Sequence, residues 1–284
     1  MILGAGDATH TVTFQNQIGL NAAVRSVQVD NGTAAVDAIL SGVISGTGVS
    51  GLTKTGAGTL ALTNANTYTG ATTLSLGTLL ANNTTGSATG SGAVSVSASA
   101  ALGGSGTITP SGANGINVTG ILKPGGSTSP GNLTFNLTNT SGVVTMNAAA
   151  SLEFELGIPG VAIDSIGISD LISLAGAVAG DFSFNGNNIN FLGTGASGYY
   201  KLFDTNSNNS NTWTGLAFDG SSGLVSSGPT YSNLAASLTG NFIVGTTSNG
   251  GTTGDIYFHI IPEPATAPLG GIGMLFLLRR RRVA

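Results

Sequence analysis

Cysteine is absent from this chain, so neither a disulfide nor a thiolate metal site can hold it together, and redox usage says nothing about its compartment. Charge is nearly as scarce: only 7% of the 284 residues are Asp, Glu, Lys or Arg, against roughly a quarter in an average soluble domain. Solubility must therefore rest on Ser, Thr and Asn. The two histidines, His10 and His259, stand near opposite ends of the sequence and leave a zinc centre or a Ser-His-Asp triad short of parts. Four of the eight basic residues are the run Arg279, Arg280, Arg281 and Arg282. The other four, Arg25, Lys54, Lys123 and Lys201, meet twelve acids, so the body carries 4 − 12 = −8 and a nucleic-acid partner is disfavoured. Helical periodicity is almost missing before residue 265, which excludes a helical bundle and leaves no room for crossover helices.

What the sequence has instead is 46 glycines and short runs that alternate apolar and polar residues. Leu74/Leu76, Val94/Val96, Leu152/Phe154/Leu156, Phe182/Phe184 and Ile189/Phe191 each place apolar side chains on one face of a strand. Turn-rich strings such as GTGVSG, TGAGT and KPGGSTSPGN separate them at fairly even intervals. Strands that recur without helices and cannot bury a face alone predict a stack of coils, with glycine at the corners. Residues 186–255 hold most of the aromatic weight and the single tryptophan, Trp213, and are expected to form an irregular cap over an open sheet end.

Gly51 to Leu79 reads GLTKTGAGTLALTNANTYTGATTLSLGTL. Lys54, Gly56, Gly58, Thr59 and Leu60, then Asn66, Thr67, Tyr68 and Gly70, then Gly77, Thr78 and Leu79 match K-x-G-x-G-T-L, N-T-Y-x-G and G-T-L. In these residues the segment resembles the autotransporter-associated β-strand repeat. Ile121 to Phe135 followed by Ser151 to Leu156 resembles the passenger pattern that follows it. The resemblance covers roughly residues 25–185 with one full copy of the signature, and implies an all-β, right-handed parallel β-helix.

At the C-terminus Pro262, Glu263 and Pro264 precede a 14-residue apolar run, 265–278, and the arginine cluster. Proline denies this tripeptide a helix or a central strand, so it is expected to be extended and reachable. The run would span about 21 Å as a helix, short of a hydrocarbon core of roughly 30 Å, and the arginines would stay cytoplasmic. In order and position the segment resembles the PEP-CTERM sorting signal. That resemblance implies export, recognition by an exosortase, a transient stay in the inner membrane through a short transmembrane helix at 265–278, and removal of the tail. The N-terminal MILGAGDATHTVTF has neither a basic n-region nor a long apolar h-region, so the sequence is expected to be a fragment or to carry a misassigned start. The expected division is 1–185 parallel β-helix, 186–258 cap and 259–284 sorting signal.

Glu153 and Glu155 are the strongest catalytic candidates, because i and i+2 on a strand set two carboxylates on one face about 6.5–7 Å apart, near the spacing of inverting glycosidases. Alternation puts Leu152, Phe154 and Leu156 inward, so both glutamates are expected to face solvent. Asp204, Asn206 and Asn208 imitate calcium-loop positions 1, 3 and 5, but Asn209 stands where Gly is needed and Gly215 where Glu is needed. GTGVSG, Gly46 to Gly51, satisfies G-x-G-x-x-G but is followed by a strand-and-turn string, which fits a solenoid corner. Tyr199, Tyr200 and Trp213 offer a sugar-stacking platform or cap packing, with packing favoured. Asn117, Asn132 and Asn136 head Asn-x-Ser/Thr strings and are assigned to solvated faces. The expectation is a non-catalytic structural or adhesive protein of the bacterial envelope or extracellular polysaccharide matrix, with no catalytic, metal or cofactor site. A carbohydrate-active β-helix enzyme, a polysaccharide lyase or glycoside hydrolase, is the alternative.

Overall fold

The computed structural model describes residues 1–126, 130–138, 141–157, 170–176, 181–192, 195–205, 213–218, 224–234, 238–245 and 253–262. Among them every regular element is a β-strand. Two nine-stranded sheets form two walls: one begins at Ile2–Leu3 and ends at Trp213–Thr214, the other begins at Val12–Phe14 and ends at Thr230–Ser232. Strands of the two walls alternate along the chain, and every pairing within each wall is parallel. That order is a parallel β-solenoid, in which each coil visits both walls and then a third side before the next begins.

Alternation fills the core. On the second wall Ala38, Leu60, Leu79, Leu102, Leu122, Leu152 and Ile189 stand in register one above another, all buried. A buried Leu or Ile of this kind contributes about 1.5–3 kcal/mol, and only neighbouring coils can bury it. On the first wall the outward row runs Ser26, Thr53, Thr73, Ser95, Asn117, Thr145, Ser183, Thr214. Hydroxyl and amide side chains thus keep that face wet without charge.

The third side changes along the stack. Ile18–Gly19 pairs with Ile44–Ser45, then no strand lies on this side until Thr107–Ile108, from which Asn132–Asn136, Leu171–Ala175 and Gly198–Asp204 follow in parallel. Ile256–Pro262 then pairs antiparallel with both Gly198–Asp204 and Leu238–Val244. The cap is therefore an antiparallel extension of the third sheet. Parallel stacking on the two walls continues past residue 185, to Trp213–Thr214 and Thr230–Ser232, beyond where the sequence reading ends the helix. The boundary at 259 falls inside the strand Ile256–Pro262, whose last residue is in register with Leu238. No helix among the described residues is long and apolar enough to cross a membrane. The expected transmembrane run 265–278, with Glu263, Pro264 and Arg279 to Arg282, lies outside the described residues.

Candidate functional site

The segment from Leu52 to Ala81 is one full coil and the start of the next: Leu52–Thr55 on the first wall, Thr59–Leu62 on the second, a strandless third side, then Thr72–Leu74 and Gly77–Ala81. Several signature residues have a structural task here. Lys54 stands in the inward row between Val27 and Leu74 and is fully buried. Its ammonium donates to the carbonyls of Thr55 (3.1 Å), Gly56 (2.7 Å) and Leu76 (2.9 Å), so it ties two consecutive corners together. Burial lowers its pKa to about 8, against the pull of Asp37 and Asp30.

Gly56 and Gly77 form those corners with φ of +76° and +72°. A Cβ on Gly56 would sit 2.3 Å from the Val29 carbonyl oxygen, and one on Gly77 would sit 2.5 Å from that of Gly56. Coils this closely stacked exclude any other residue at either corner. Asp37, from the coil before, accepts from Gly32 N and Thr59 N, both at 2.7 Å, and so closes the second corner.

On the strandless third side Asn66 takes the place of a strand. Its Oδ1 accepts from Ile44 N at 2.7 Å and its Nδ2 donates to Ala88 O at 2.6 Å, one bond to the coil on each side. With the backbone bonds from Asn66 N to Ser87 O (2.8 Å) and from Thr67 N to Ile44 O (2.9 Å), this side-chain amide, only 6% exposed, carries the ladder across a coil that has no strand to do so. Tyr68 is fully buried, with its hydroxyl 2.6 Å from Thr72 Oγ1, and burial raises its pKa although that bond opposes it.

The other candidates sit apart from this coil. Glu153 and Glu155 are half-buried on the outward face, beside Asn190 and Leu192 of the next strand, while Leu152, Phe154 and Leu156 are buried as alternation requires. GTGVSG is a turn between Ile44–Ser45 and Leu52–Thr55. Tyr200 and Trp213 are buried, Trp213 against Phe182, Phe184 and Phe203, so the three aromatics form no common platform. Tyr199 alone stays half-exposed, stacked on His259 at 4.0 Å and nearly parallel. His10 is exposed near the opposite end of the stack, beside Thr9 Oγ1. Asp204 ends its strand, and its calcium-loop companions Asn206, Asn208 and Asn209 lie outside the described residues. Among the described residues no group of three His, Asp or Glu is placed to hold a metal.

Sequence reasoning missed the buried aspartates. Asp37, Asp170, Asp181 and Asp255 are all buried, and each directly precedes a strand. Asp170 accepts from Gly131 N (2.8 Å) and Glu155 N (2.6 Å), and burial raises its pKa to about 7. Asp255 accepts from Thr205 N (2.9 Å) and pairs with Lys201 at 2.7 Å. An Asp immediately before an alternating apolar run was the available signal.

A family model described as passenger-associated-transport-repeat matches residues 52–81, the coil that Lys54, Asn66 and Tyr68 hold together. Comparison with curated proteins and with solved structures gives no significant match.

Proposed function

We propose that this chain is an exported, surface-retained or secreted structural protein of the bacterial envelope or its polysaccharide matrix, and that it acts as a rigid spacer or adhesive rod, not as an enzyme. The observation that carries this reading is the passenger-associated repeat at 52–81 folded as one coil of a parallel stack, which supports an exported, passenger-like chain. Lys54, Asn66 and Tyr68 of that repeat are spent on holding coils together, at the corners, across the third side and in the core, and Asp37 of the preceding coil closes the second corner. We take the coil as right-handed, the hand of nearly all parallel β crossovers.

Sorting by an exosortase at Pro262, Glu263 and Pro264, with transient anchoring through 265–278 and Arg279 to Arg282, is part of the proposal. Its support is the residue order of the tail and the place of Pro262, the last residue of the last strand of the third sheet. A cut after this point would spare that strand. The test is made in a bacterium carrying an exosortase. Protease added to intact cells should remove the protein, and the intact mass of the envelope form should lack everything after the tripeptide region. A protein shielded from added protease would overturn export, and a mature form still ending RRRRVA would overturn sorting.

A further inference from the structure

Where the third side passes from strandless coils to the strands Thr107–Ile108 and Asn132–Asn136, it carries a groove of about 500 Å³. It runs along the stack from Thr67 past Thr84 and Thr85 to Thr107, Thr109 and Asn136, three coil steps or about 14 Å at roughly 4.8 Å each. Its volume lies within the usual range of ligand sites, about 300–1,000 Å³. Buried side chains hold both walls in place. Asn83 is 5% exposed; it donates to Thr85 O and Gly86 O, both at 3.0 Å, and accepts from Thr107 N at 2.9 Å. Ser87, 8% exposed, accepts from Thr109 N at 3.0 Å and donates to Gly90 O. The groove is therefore preorganised, while the hydroxyls of Thr67, Thr84, Thr85, Thr107 and Thr109 have no partner among the described residues.

We infer that this groove binds a neutral, polyhydroxylated chain, a segment of uncharged glycan lying along the solenoid axis. Five free hydroxyls offer donors and acceptors on successive coils, at a repeat close to the length of one sugar ring, and Asn136 adds its Nδ2 as a donor, its Oδ1 being taken by Thr138. No charged side chain lines the groove, so an acidic or basic polymer gains nothing from it. A peptide strand would seek free backbone groups, and those at the groove's strand edge are taken, Thr107 N by Asn83, Thr109 N by Ser87 and Thr107 O by Ala88 N. The inference rests on the matrix reading above and names the partner within it.

The test is amide NMR of the full chain titrated with cellohexaose and maltohexaose, with hexagalacturonate as the charged comparison. Saturable shifts are expected at the Thr85, Gly86, Thr107 and Thr109 amides. Thr85→Ala with Thr107→Ala and Thr109→Ala should weaken binding about tenfold or more, from the lost hydrogen bonds. Thr73→Ala with Ser95→Ala, on the flat outward row of the first wall, should leave it unchanged. Should the triple variant not fold, Thr85→Lys, at an exposed position on the rim, should block the groove by itself. No shifts at the highest soluble hexaose concentration, equal shifts along the Thr73 and Ser95 row, or tighter binding of hexagalacturonate would each overturn the inference. A surface-exposed chain that binds no glycan refutes the groove alone. A chain that binds the hexaoses but is shielded from protease in its host refutes export alone.

Discussion

Replacing Asn66 with leucine should unfold much of what the matched coil contributes. The side chains are similar in size, so the change isolates polarity. Two backbone groups lose their partner, Ile44 N and Ala88 O, and they belong to different coils. Each orphaned buried group costs about 1–3 kcal/mol, so the expected loss is roughly 2–6 kcal/mol, a large share of the 5–15 kcal/mol of a typical domain. Urea unfolding of the full chain, wild type and Asn66→Leu, measures it. Because coils of a solenoid can open separately, a change in slope with the midpoint would mean that the coil melts ahead of the rest. Hydrogen exchange at the Ile44 amide gives the local readout and should quicken in step. Asn66→Asp should keep the bond from Ile44 N but set a carboxylate oxygen against Ala88 O, whereas Thr67→Ala, at an exposed neighbour, should change stability by less than about 0.5 kcal/mol. An Asn66→Leu loss below about 0.5 kcal/mol, with unchanged exchange at Ile44, would refute the claim that this amide substitutes for a strand.

Leu60→Asp should cost several kcal/mol by putting an unpaired carboxylate into the inward row, while Glu153→Gln on the outward face should be nearly neutral; equal losses in chemical denaturation would contradict the assigned faces. Gly77→Ala should destabilise severely, because its Cβ would collide with the Gly56 carbonyl, whereas Gly48→Ala, with φ of +65° and no atom within 4 Å, should cost only the strain of a left-handed residue, about 1 kcal/mol; thermal melts compare them. Lys54 loses its proton near pH 8 when folded and near 10.5 when unfolded, so the unfolded chain binds more protons in between and stability should rise with pH from about 8 to 10.5; Lys54→Met should flatten that slope. Asp170 has the opposite sign: the folded chain binds more protons between about pH 4 and 7, its contribution should fall as pH rises through that window, and Asp170→Asn should abolish the effect in pH-dependent urea titrations.

Where a single coil's own pattern decides the outcome, the fold was legible. Leu152, Phe154 and Leu156 alternate with Glu153 and Glu155, and the strand sends them inward and outward accordingly. The corner glycines of the repeat were equally readable, since tight stacking admits nothing larger. What stayed hidden depends on which residues meet across coils. Lys54 looks like a solvated cation, yet its stem lies in the core row and only the corner carbonyls of Thr55, Gly56 and Leu76 explain its head. Asn66 reads as a turn residue until Ile44 and Ala88 are placed on either side of it. Tyr199 stands beside Tyr200 and near Trp213 in the sequence, but alternation turns Tyr200 inward and leaves Tyr199 against His259 on the neighbouring antiparallel strand. The antiparallel cap could not be read from periodicity, because parallel and antiparallel strands share the same alternation.

Spin-label distances along the outward row of the first wall test the stacked-coil architecture most directly, since the chain has no cysteine to interfere. Pairs Thr53→Cys with Thr145→Cys, and Ser26→Cys with Ser183→Cys, lie four and six register steps apart. At roughly 4.8 Å per coil the account predicts backbone separations of about 19 and 29 Å, growing linearly with coil number whatever the sequence distance. Distances that do not scale with coil number, or broad distributions for both pairs, would contradict a parallel β-solenoid.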